Sequence, residues 1–464
     1  MFGGLSKFMK ALPDAKEKIK DKEKIKKSYS FWRLKMFSGM YFGYLFYYFT
    51  RKNISFIKPA LAIEWNFSMQ DLALLGISID ICYGVGKFLS GMLSDRCNIR
   101  AFMALGLFLS SIVNIIFPFL PALSKTLGIS LALIASIFWG INGIFQSMGF
   151  PPVAKGLVYW FAPKERARKW TLWSTSHVLG AFLIGVIAAF LLGHQINILG
   201  LNAWRLTFVI PGLIGIIYSF IILTSLTDKP QTVGLPPIEE YSNDTLPVKK
   251  ETGMSYGFAI KKYLFTNPMF WSLSLAYIFI YYVRFATLDW GTMFLVDHCS
   301  FTQADAASVL KWMPLIGAVG GILSGYLVDK IFKGKCTPVV LISLLISALS
   351  CWQFYIHASG VHQAHGIFLT TVFAALIGFS IDGPQNLVGG VQISRIVPQE
   401  AVSAATGLAG LFGYLGSILS NLGVAWLTEN FGWKSVFSSC ILASIIAALL
   451  VMLTYKSETN KFQN

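Results

Sequence analysis

The sequence predicts an all-α polytopic membrane protein with twelve transmembrane helices in two pseudo-symmetric six-helix bundles. The first observation is composition: 55% of the 464 residues are apolar and 13% are charged, against roughly 25% charged in an ordinary soluble domain. The second is a series of apolar runs, and the third is an echo between the two halves of the chain. This composition excludes an ordinary soluble enzyme, a disordered chain and a disulfide scaffold.

Twelve segments approach the length of about 20 apolar residues that a helix needs to cross a bilayer. They lie near 34–57, 71–93, 101–121, 128–152, 171–193, 206–226, 268–296, 306–328, 337–357, 366–392, 402–427 and 434–455. A polar, proline-rich stretch separates the first six from the last six. We therefore expect five parts: a Lys-rich cytoplasmic tail at 1–30, an N-terminal bundle at 31–227, a cytoplasmic linker at 228–266, a C-terminal bundle at 267–456 and a cytoplasmic tail at 457–464.

The net charge of +16 comes from short basic clusters between the apolar runs. Lysine and arginine concentrate in alternate loops, which predicts that both termini lie in the cytoplasm. A multi-pass protein of a bacterial inner membrane fits this pattern, with the lipid bilayer as its surroundings and no nucleic acid as a partner. No obligate protein partner is evident.

The polar residues do not form a recognisable reaction centre. The six cysteines include no CxxC pair, and the six histidines show no metal-ligand spacing, so we expect no metal and no cofactor. Sequence motifs of serine hydrolases, ATP-binding loops and zinc proteases are absent. We therefore expect that the chain is not an enzyme; a membrane phosphatase would need a nucleophile or a metal cluster.

Three short patterns recur in the second half of the chain at an almost constant offset. Asp95-Arg96 recurs as Asp329-Lys330 after 234 residues, the Pro151 region recurs as Gly383-Pro384 after 234, and Arg51 recurs as Arg284 after 233. A duplicated six-helix unit explains this, and it is the layout of major facilitator transporters. Both acidic-basic loops resemble that superfamily's motif after its second helix, and we expect them to stabilise one conformation at the cytoplasmic face.

Two arginines are predicted to lie within the membrane. Arg51 and Arg284 each follow an apolar run of 15 residues, which is too short to span, so each helix must continue past its arginine. A charge at mid-membrane costs at least ~2.5 kcal/mol and usually has a function. The planar guanidinium suits phosphate or carboxylate oxygens. The alternative is an arginine that snorkels at a helix end.

Tyrosines accompany both arginines. Tyr44, Tyr48 and Arg51 share one helical face by their spacing, and so do Tyr281 and Arg284. Their hydroxyls can complete the hydrogen bonding of an oxyanion, or their rings can simply pack.

Other polar residues lie in predicted spans. Asp80, Tyr83 and Lys87 share a face of span two, where Lys87 either pairs with Asp80 or faces a cavity as a third cation; we favour the cavity. His177 is either structural or a hydrogen-bond donor to phosphate that takes up a proton near neutral pH. Asp289, five residues after Arg284, can orient or partly neutralise it, and Asp382 is a further intramembrane acid.

Longer motifs resemble the organophosphate:phosphate antiporter family of the major facilitator superfamily across nearly the whole chain. They include Phe42-Gly43-Tyr44, Arg51-Lys52-Asn53, Tyr83-Gly84, Lys87-Phe88, Gly149-Phe150-Pro151-Pro152, Lys164-Glu165-Arg166, Asp228-Lys229-Pro230-Gln231, Leu288-Asp289-Trp290 and Gly410-Leu411-Phe412-Gly413-Tyr414. The resemblance implies exchange of a phosphate ester for inorganic phosphate by alternating access. It implies paired phosphate-binding arginines at Arg51 and Arg284, and a cavity lined by Lys87, His177, Tyr44, Tyr48, Tyr83, Tyr281 and Tyr414.

The likeness is greatest to the hexose-6-phosphate branch of that family. Asp382 precedes Gly383-Pro384 where relatives carry an aromatic residue, and Trp312-Met313-Pro314 lacks the acid of glycerol-phosphate carriers. We therefore expect import of glucose-6-phosphate or another hexose-6-phosphate, with Asp382 accepting hydrogen bonds from sugar hydroxyls. Glycerol-3-phosphate or another phosphate ester is the alternative substrate, and a membrane sensor of external hexose phosphate is the alternative function.

Overall fold

The computed structural model describes residues 9–242, 261–360, 366–397 and 402–455. Within these ranges, nine side chains lie outside the description, among them those of Asp95 and Arg96. The described part of the chain is almost entirely helical.

The first half of the described chain contains nine α-helices, and a 3₁₀ turn at Phe117–Phe119 joins α3 to α4. They are α1 (Lys22–Glu64), α2 (Met69–Arg96), α3 (Ile99–Ile116), α4 (Leu120–Leu127), α5 (Leu131–Ser147), α6 (Phe150–Trp160), α7 (Pro163–Gly193), α8 (Ala203–Ser225) and α9 (Ile238–Ser242).

The second half of the described chain contains nine further α-helices, and three π-helical turns lie beside them, at Lys261–Phe265, Leu327–Ile331 and Leu387–Gln392. The helices are α10 (Pro268–Leu288), α11 (Gly291–Asp297), α12 (Gln303–Leu310), α13 (Trp312–Tyr326), α14 (Thr337–Ser359), α15 (Gly366–Asn386), α16 (Ile393–Ile396), α17 (Val402–Phe431) and α18 (Trp433–Met452).

Eleven helical stretches of the described residues are long and apolar enough to cross a membrane. The twelfth span is α1, a single helix of 43 residues that is about 64 Å long at 1.5 Å per residue. Its apolar run is interrupted by Arg51 and Lys52, and the helix nevertheless continues through both, as the short run required. The predicted fold class, an all-α protein with twelve transmembrane helices, is confirmed.

Two predicted spans are broken. The fourth span consists of α5 and α6 and reaches Trp160, because two prolines at the start of α6 cannot donate backbone hydrogen bonds to the preceding turn. The seventh span passes through Arg284 as expected but ends at Leu288, and α11 begins only at Gly291. At this break the indole Nε1 of Trp290 donates to Asn421 Oδ1 at 3.1 Å.

The described chain forms two compact units. Unit 1 comprises residues 9–53, 81–184 and 198–242, and unit 2 comprises residues 54–80, 185–197 and the described residues from 261 onward. Unit 2 therefore contains the end of α1 and the start of α2. The predicted domain boundaries at 31–227 and 267–456 stay a prediction.

In unit 1, α7 packs directly on the backbone of α1. A Cβ added to Gly180 would lie 2.6 Å from the carbonyl oxygen of Leu45, so only glycine permits this approach. Buried Met36, Met40 and Trp160 belong to the apolar cluster around the first half of α1. This packing holds the face of α1 that carries Tyr44, Tyr48 and Arg51.

In unit 2, α13 and α15 cross in close contact through reciprocal glycines. A Cβ at Gly320 would lie 1.9 Å from the Phe379 carbonyl oxygen, and one at Gly378 would lie 2.0 Å from that of Met313. Small residues let membrane helices approach this closely. Dispersion contacts and hydrogen bonds then hold the helices together, since the hydrophobic effect does not drive their association within a lipid bilayer. The crossing holds Asp382 in α15 against α13.

The N-terminal segment and the beginning of the predicted linker pair with each other in unit 1. The Asp228 carboxylate accepts the backbone N–H groups of Leu12 and Ile99, both at 2.6 Å. Lys229 forms a 2.9 Å ion pair with Asp14, so the tail follows residues 228–234. The rest of the linker, residues 243–260, lies outside the described residues.

An ion pair joins the first part of α1 to the N-terminal end of α7. Arg33 donates to Glu165, and the backbone N–H of Ala162 donates to the same carboxylate oxygen at 3.1 Å. Burial raises the pKa of the Glu165 carboxyl, but these two hydrogen bonds outweigh burial and hold the pKa below its usual value.

Candidate functional site

Arg51 lies against an aromatic cluster inside unit 1. Its guanidinium carbon is 4.0 Å from the ring centroid of Tyr83 and 5.7 Å from that of Tyr48. Tyr83 is buried, and its side chain is hydrogen-bonded to Arg51 and Tyr44. The cation–π contact and the hydrogen bond hold the guanidinium beside Tyr83.

The tyrosines of α1 share one face, as their spacing predicts. The ring centroids of Tyr44 and Tyr48 are 5.6 Å apart, and Tyr44 also lies 4.7 Å from Trp173. The half-buried His177 of α7 lies 5.3 Å from Tyr48. A phosphate beside Arg51 would therefore meet tyrosine hydroxyls and an imidazole within the same cluster, although His177 also has a plain packing role against Tyr48.

Lys87 lines a cavity of about 430 Å³ within unit 1, together with Lys155, Phe150 and Tyr159. Its side chain is exposed, and its ammonium lies 5.3 Å from the Phe150 ring centroid. Lys155 donates to the backbone carbonyls of Ser94 and Cys97. The described residues that line this cavity do not include Arg51, so the role of Lys87 as a third cation of the substrate cavity stays a prediction.

A buried polar network holds the turn of α1 that carries Arg51. Asn114 and Asn142 both donate to the carbonyl oxygen of Thr50, at 2.9 and 3.0 Å. Gln146 donates to the Thr50 hydroxyl at 2.9 Å and to Ser110 at 2.7 Å. Because these donors come from α3 and α5, three helices fix the position of the residue before Arg51.

Arg284, in unit 2, is held by a carboxylate and an amide. Its Nη1 donates to Asp382 Oδ1 and to Gln385 Oε1, both on α15. The exposed fraction is 17% for the Arg284 side chain and 13% for the Asp382 side chain. The structure thus gives Arg284 an anionic partner, whereas the sequence pattern had suggested Asp289 for that role.

Three tyrosines of α10 and α17 lie close to one another in unit 2. Tyr281 lies 4.7 Å from Tyr277 and 6.5 Å from Tyr414 between ring centroids, and the hydroxyls of Tyr277 and Tyr281 are 3.3 Å apart. Tyr281 and Tyr414 therefore belong to one aromatic cluster in unit 2, and their place in the lining of a substrate cavity stays a prediction.

Asp289 and Asp80 each accept hydrogen bonds from polar residues of unit 2. Ser55 donates to Asp289 Oδ1 at 2.8 Å. Ser417 donates to Asp80 Oδ2, and Asn421 donates to the same oxygen at 3.3 Å. Asp80 is buried, and these contacts give it partners other than Lys87, which belongs to unit 1.

The predicted conformational residues receive less support from the structure. Asp95 and Arg96 lie at the end of helix α2, and their side chains lie outside the description. Asp329 and Lys330 lie in the π-helical turn that ends α13, and both are exposed. Their role in stabilising one conformation stays a prediction.

The sequence analysis missed the polar residues that position the arginines. Gln385 stands three residues after Asp382, one helical turn away, and this spacing is a signal that could have placed it beside the acid. Asn114, Asn142 and Gln146 had only their polarity within apolar helices as a signal. In a membrane such groups need internal partners, but the sequence does not say which.

A comparison with protein families finds that the model of the Major Facilitator Superfamily matches residues 40–354 and 334–463. A bacterial homologue of the human lysosomal transporter Spinster, solved inward-facing and unoccupied, has a similar fold, with a TM-score of 0.67 over 92% of this chain and 96% of that one, at 18% identity.

Three curated relatives cover nearly all of the chain. The probable hexose phosphate transport protein of Chlamydia muridarum is 35% identical over 95% of each chain. The glycerol-3-phosphate transporter of Bacillus subtilis is 35% identical over 92% of this chain and 94% of its own. The membrane sensor protein UhpC of Salmonella typhimurium is 34% identical over 96% of each chain.

Proposed function

Because the chain belongs to the major facilitator superfamily, within its organophosphate:phosphate antiporter family, we propose that it imports a hexose-6-phosphate in exchange for inorganic phosphate by alternating access. Glucose-6-phosphate is the favoured substrate. We place the protein in a bacterial inner membrane with both termini in the cytoplasm, as the loop charges predict. Glycerol-3-phosphate, the substrate named for one relative, is the second candidate substrate.

The position of the Arg51 guanidinium over the Tyr83 ring is the observation that carries this proposal. Its carbon lies 4.0 Å from the ring centroid, and the tyrosines of α1, His177 and Lys87 belong to the same unit. A phosphate dianion suits this chemistry, because two charge-assisted hydrogen bonds from one guanidinium match two phosphate oxygens. In the second unit, Arg284 supplies the same group.

Exchange follows from the charge of such a site. A cationic site inside a membrane is costly without an anion, and binding a phosphate offsets that cost. Bound substrate thus lowers the free-energy barrier for reorientation. Its negative charge interacts favourably with the cationic groups, which would otherwise be buried in apolar surroundings without a partner anion. Either inorganic phosphate or a phosphate ester supplies the required charge.

Uptake into proteoliposomes tests the proposal. Vesicles loaded with inorganic phosphate should accumulate radiolabelled glucose-6-phosphate, whereas vesicles without internal phosphate should take up little. A panel of unlabelled esters, including glycerol-3-phosphate, then ranks the substrates by competition. Equal uptake with and without internal phosphate would contradict exchange and indicate a uniporter or a proton symporter.

A sensor of external hexose phosphate is the second candidate function, because UhpC, at 34% identity, bears the name of a membrane sensor. A sensor keeps the binding site but needs no turnover. The same vesicles separate the two: glucose-6-phosphate binding to the purified protein without phosphate counterflow would favour the sensor.

A further inference from the structure

The donors of Arg284 that a phosphate would need are already bonded to the carboxylate of Asp382 and the amide of Gln385. We propose that Asp382 is an exchangeable counterion of Arg284: substrate phosphate displaces the carboxylate, which takes up one proton as it leaves the guanidinium. This inference rests on the proposed function, because it requires a phosphate at Arg284. It makes Asp382 a determinant of which charge form of the substrate binds.

The structure holds the carboxylate in a specific place. Its Oδ1 accepts from Arg284. Its Oδ2 lies beside Gly317 of α13. A Cβ added to that glycine would lie 2.6 Å from this oxygen. Asp382 as a whole is 9% exposed. Because Gly317 has no side chain, the carboxylate of Asp382 has room between α13 and α10.

Burial decides what happens to the carboxylate after displacement. A buried carboxylate that loses its guanidinium keeps the full cost of desolvation without the compensating attraction. Protonation removes that cost, and a buried acid can then donate one hydrogen bond. In the balanced step, the phosphate dianion takes the Arg284 N–H donors, and the carboxylate becomes a carboxylic acid with a proton from solvent. The site therefore gains a net charge of minus one instead of minus two.

No other described titratable group is placed to take over this proton exchange. The helices packed on α15 are α10, α12, α13 and α14. On α10, Tyr277 and Tyr281 are bonded to each other, and Tyr282 is bonded to Ser439. The remaining candidates lie elsewhere on their helices. Asp305 on α12 is bonded to Thr302, and Tyr326 lies at the exposed end of α13. Cys351, Tyr355 and His357 lie in the second half of α14, where His357 stacks on Phe373.

The proposal predicts a pH dependence with a defined sign. Uptake of one proton per bound ligand means that affinity falls about tenfold for each unit of rising pH. The measurement belongs at pH 7 and above, where a phosphate monoester with a second pKa near 6 is already mostly a dianion. The ligand's own titration then adds little to the proton count.

Calorimetry on the full chain in lipid nanodiscs measures this directly. Glucose-6-phosphate is titrated at pH 7 and pH 8 in two phosphate-free buffers with different ionisation enthalpies, which gives the number of protons taken up. The wild type should take up about one proton and lose about tenfold in affinity between the two pH values. Asp382→Asn should take up none, bind equally at both values and bind more tightly than the wild type at pH 8. The matched control Asp305→Asn should behave as the wild type.

Each outcome decides the matter. Wild-type binding without proton uptake overturns this inference alone, and so does undiminished uptake in Asp382→Asn. If Asp382→Asn does not fold, the infrared difference spectrum of the wild type replaces it: glucose-6-phosphate should produce the carbonyl band of a protonated carboxyl, and absence of that band overturns the inference. A wild-type chain that binds neither glucose-6-phosphate nor inorganic phosphate refutes the proposed function as well.

Discussion

Replacing Arg51 by lysine separates the geometry of the guanidinium from its charge. Arg51→Lys keeps one positive charge in α1, but an ammonium cannot present two parallel donors to a phosphate. The position of the side chain is otherwise well determined, because Tyr83 lies 4.0 Å away and the Thr50 carbonyl is held by two asparagines. We therefore expect the variant to fold and to bind phosphate weakly.

The size of the effect follows from the lost contacts. Losing one charge-assisted hydrogen bond costs about 1.5–3 kcal/mol. The contact with Tyr83 exists with and without phosphate, so it does not enter the difference in affinity. The loss of about 1.5–3 kcal/mol corresponds to an affinity about 10- to 140-fold lower, at 1.4 kcal/mol for each factor of ten.

Titration of purified protein with inorganic phosphate measures this loss, and phosphate exchange in vesicles should fall with it. Arg205→Lys is the matched control, because Arg205 also lies over an aromatic ring, at 5.3 Å from Trp204, but outside the cluster around Arg51. The control should bind as the wild type does. An Arg51→Lys affinity within twofold of the wild type would refute the reasoning and remove Arg51 from the phosphate site.

Two stability predictions concern the scaffold. Gly320→Ala should destabilise the protein by at least about 1–3 kcal/mol, because the alanine Cβ would lie 1.9 Å from the Phe379 carbonyl oxygen. Gly325→Ala is the control, since the space around Gly325 is open. Equal unfolding temperatures of the two variants would contradict the packing argument. Glu165→Gln should cost about 0.5–1 kcal/mol at neutral pH, since the Arg33 pair is only partly buried. Because folding lowers the pKa of Glu165, the ion pair contributes fully to stability above about pH 4.3, the pKa of an unfolded glutamate. The contribution is lost as the pH falls through the lowered pKa of the folded state. A difference in unfolding free energy between wild type and variant that does not change with pH would contradict this prediction.

Several features follow from the order of residues alone. Twelve apolar runs, alternating basic loops and the offset of 234 residues predict the fold, because hydropathy and duplication are properties of the linear chain. The predicted intramembrane positions of Arg51 and Arg284 follow from the length of the preceding runs, since a run of 15 residues cannot span a bilayer. The shared face of Tyr44, Tyr48 and Arg51 follows from helical spacing.

The partners of these residues needed the tertiary structure. Asp382 is 98 residues from Arg284 in the chain, and the sequence offered Asp289, only five residues away, as the nearer candidate. The close crossing of α13 and α15 through Gly320 and Gly378 holds α15, with Asp382, against α13. Hydropathy shows that a helix is buried in a membrane, but the rotation of each helix and the distance between helices decide which polar groups meet. Those quantities depend on packing between distant segments, so only the folded chain determines the counterion of Arg284.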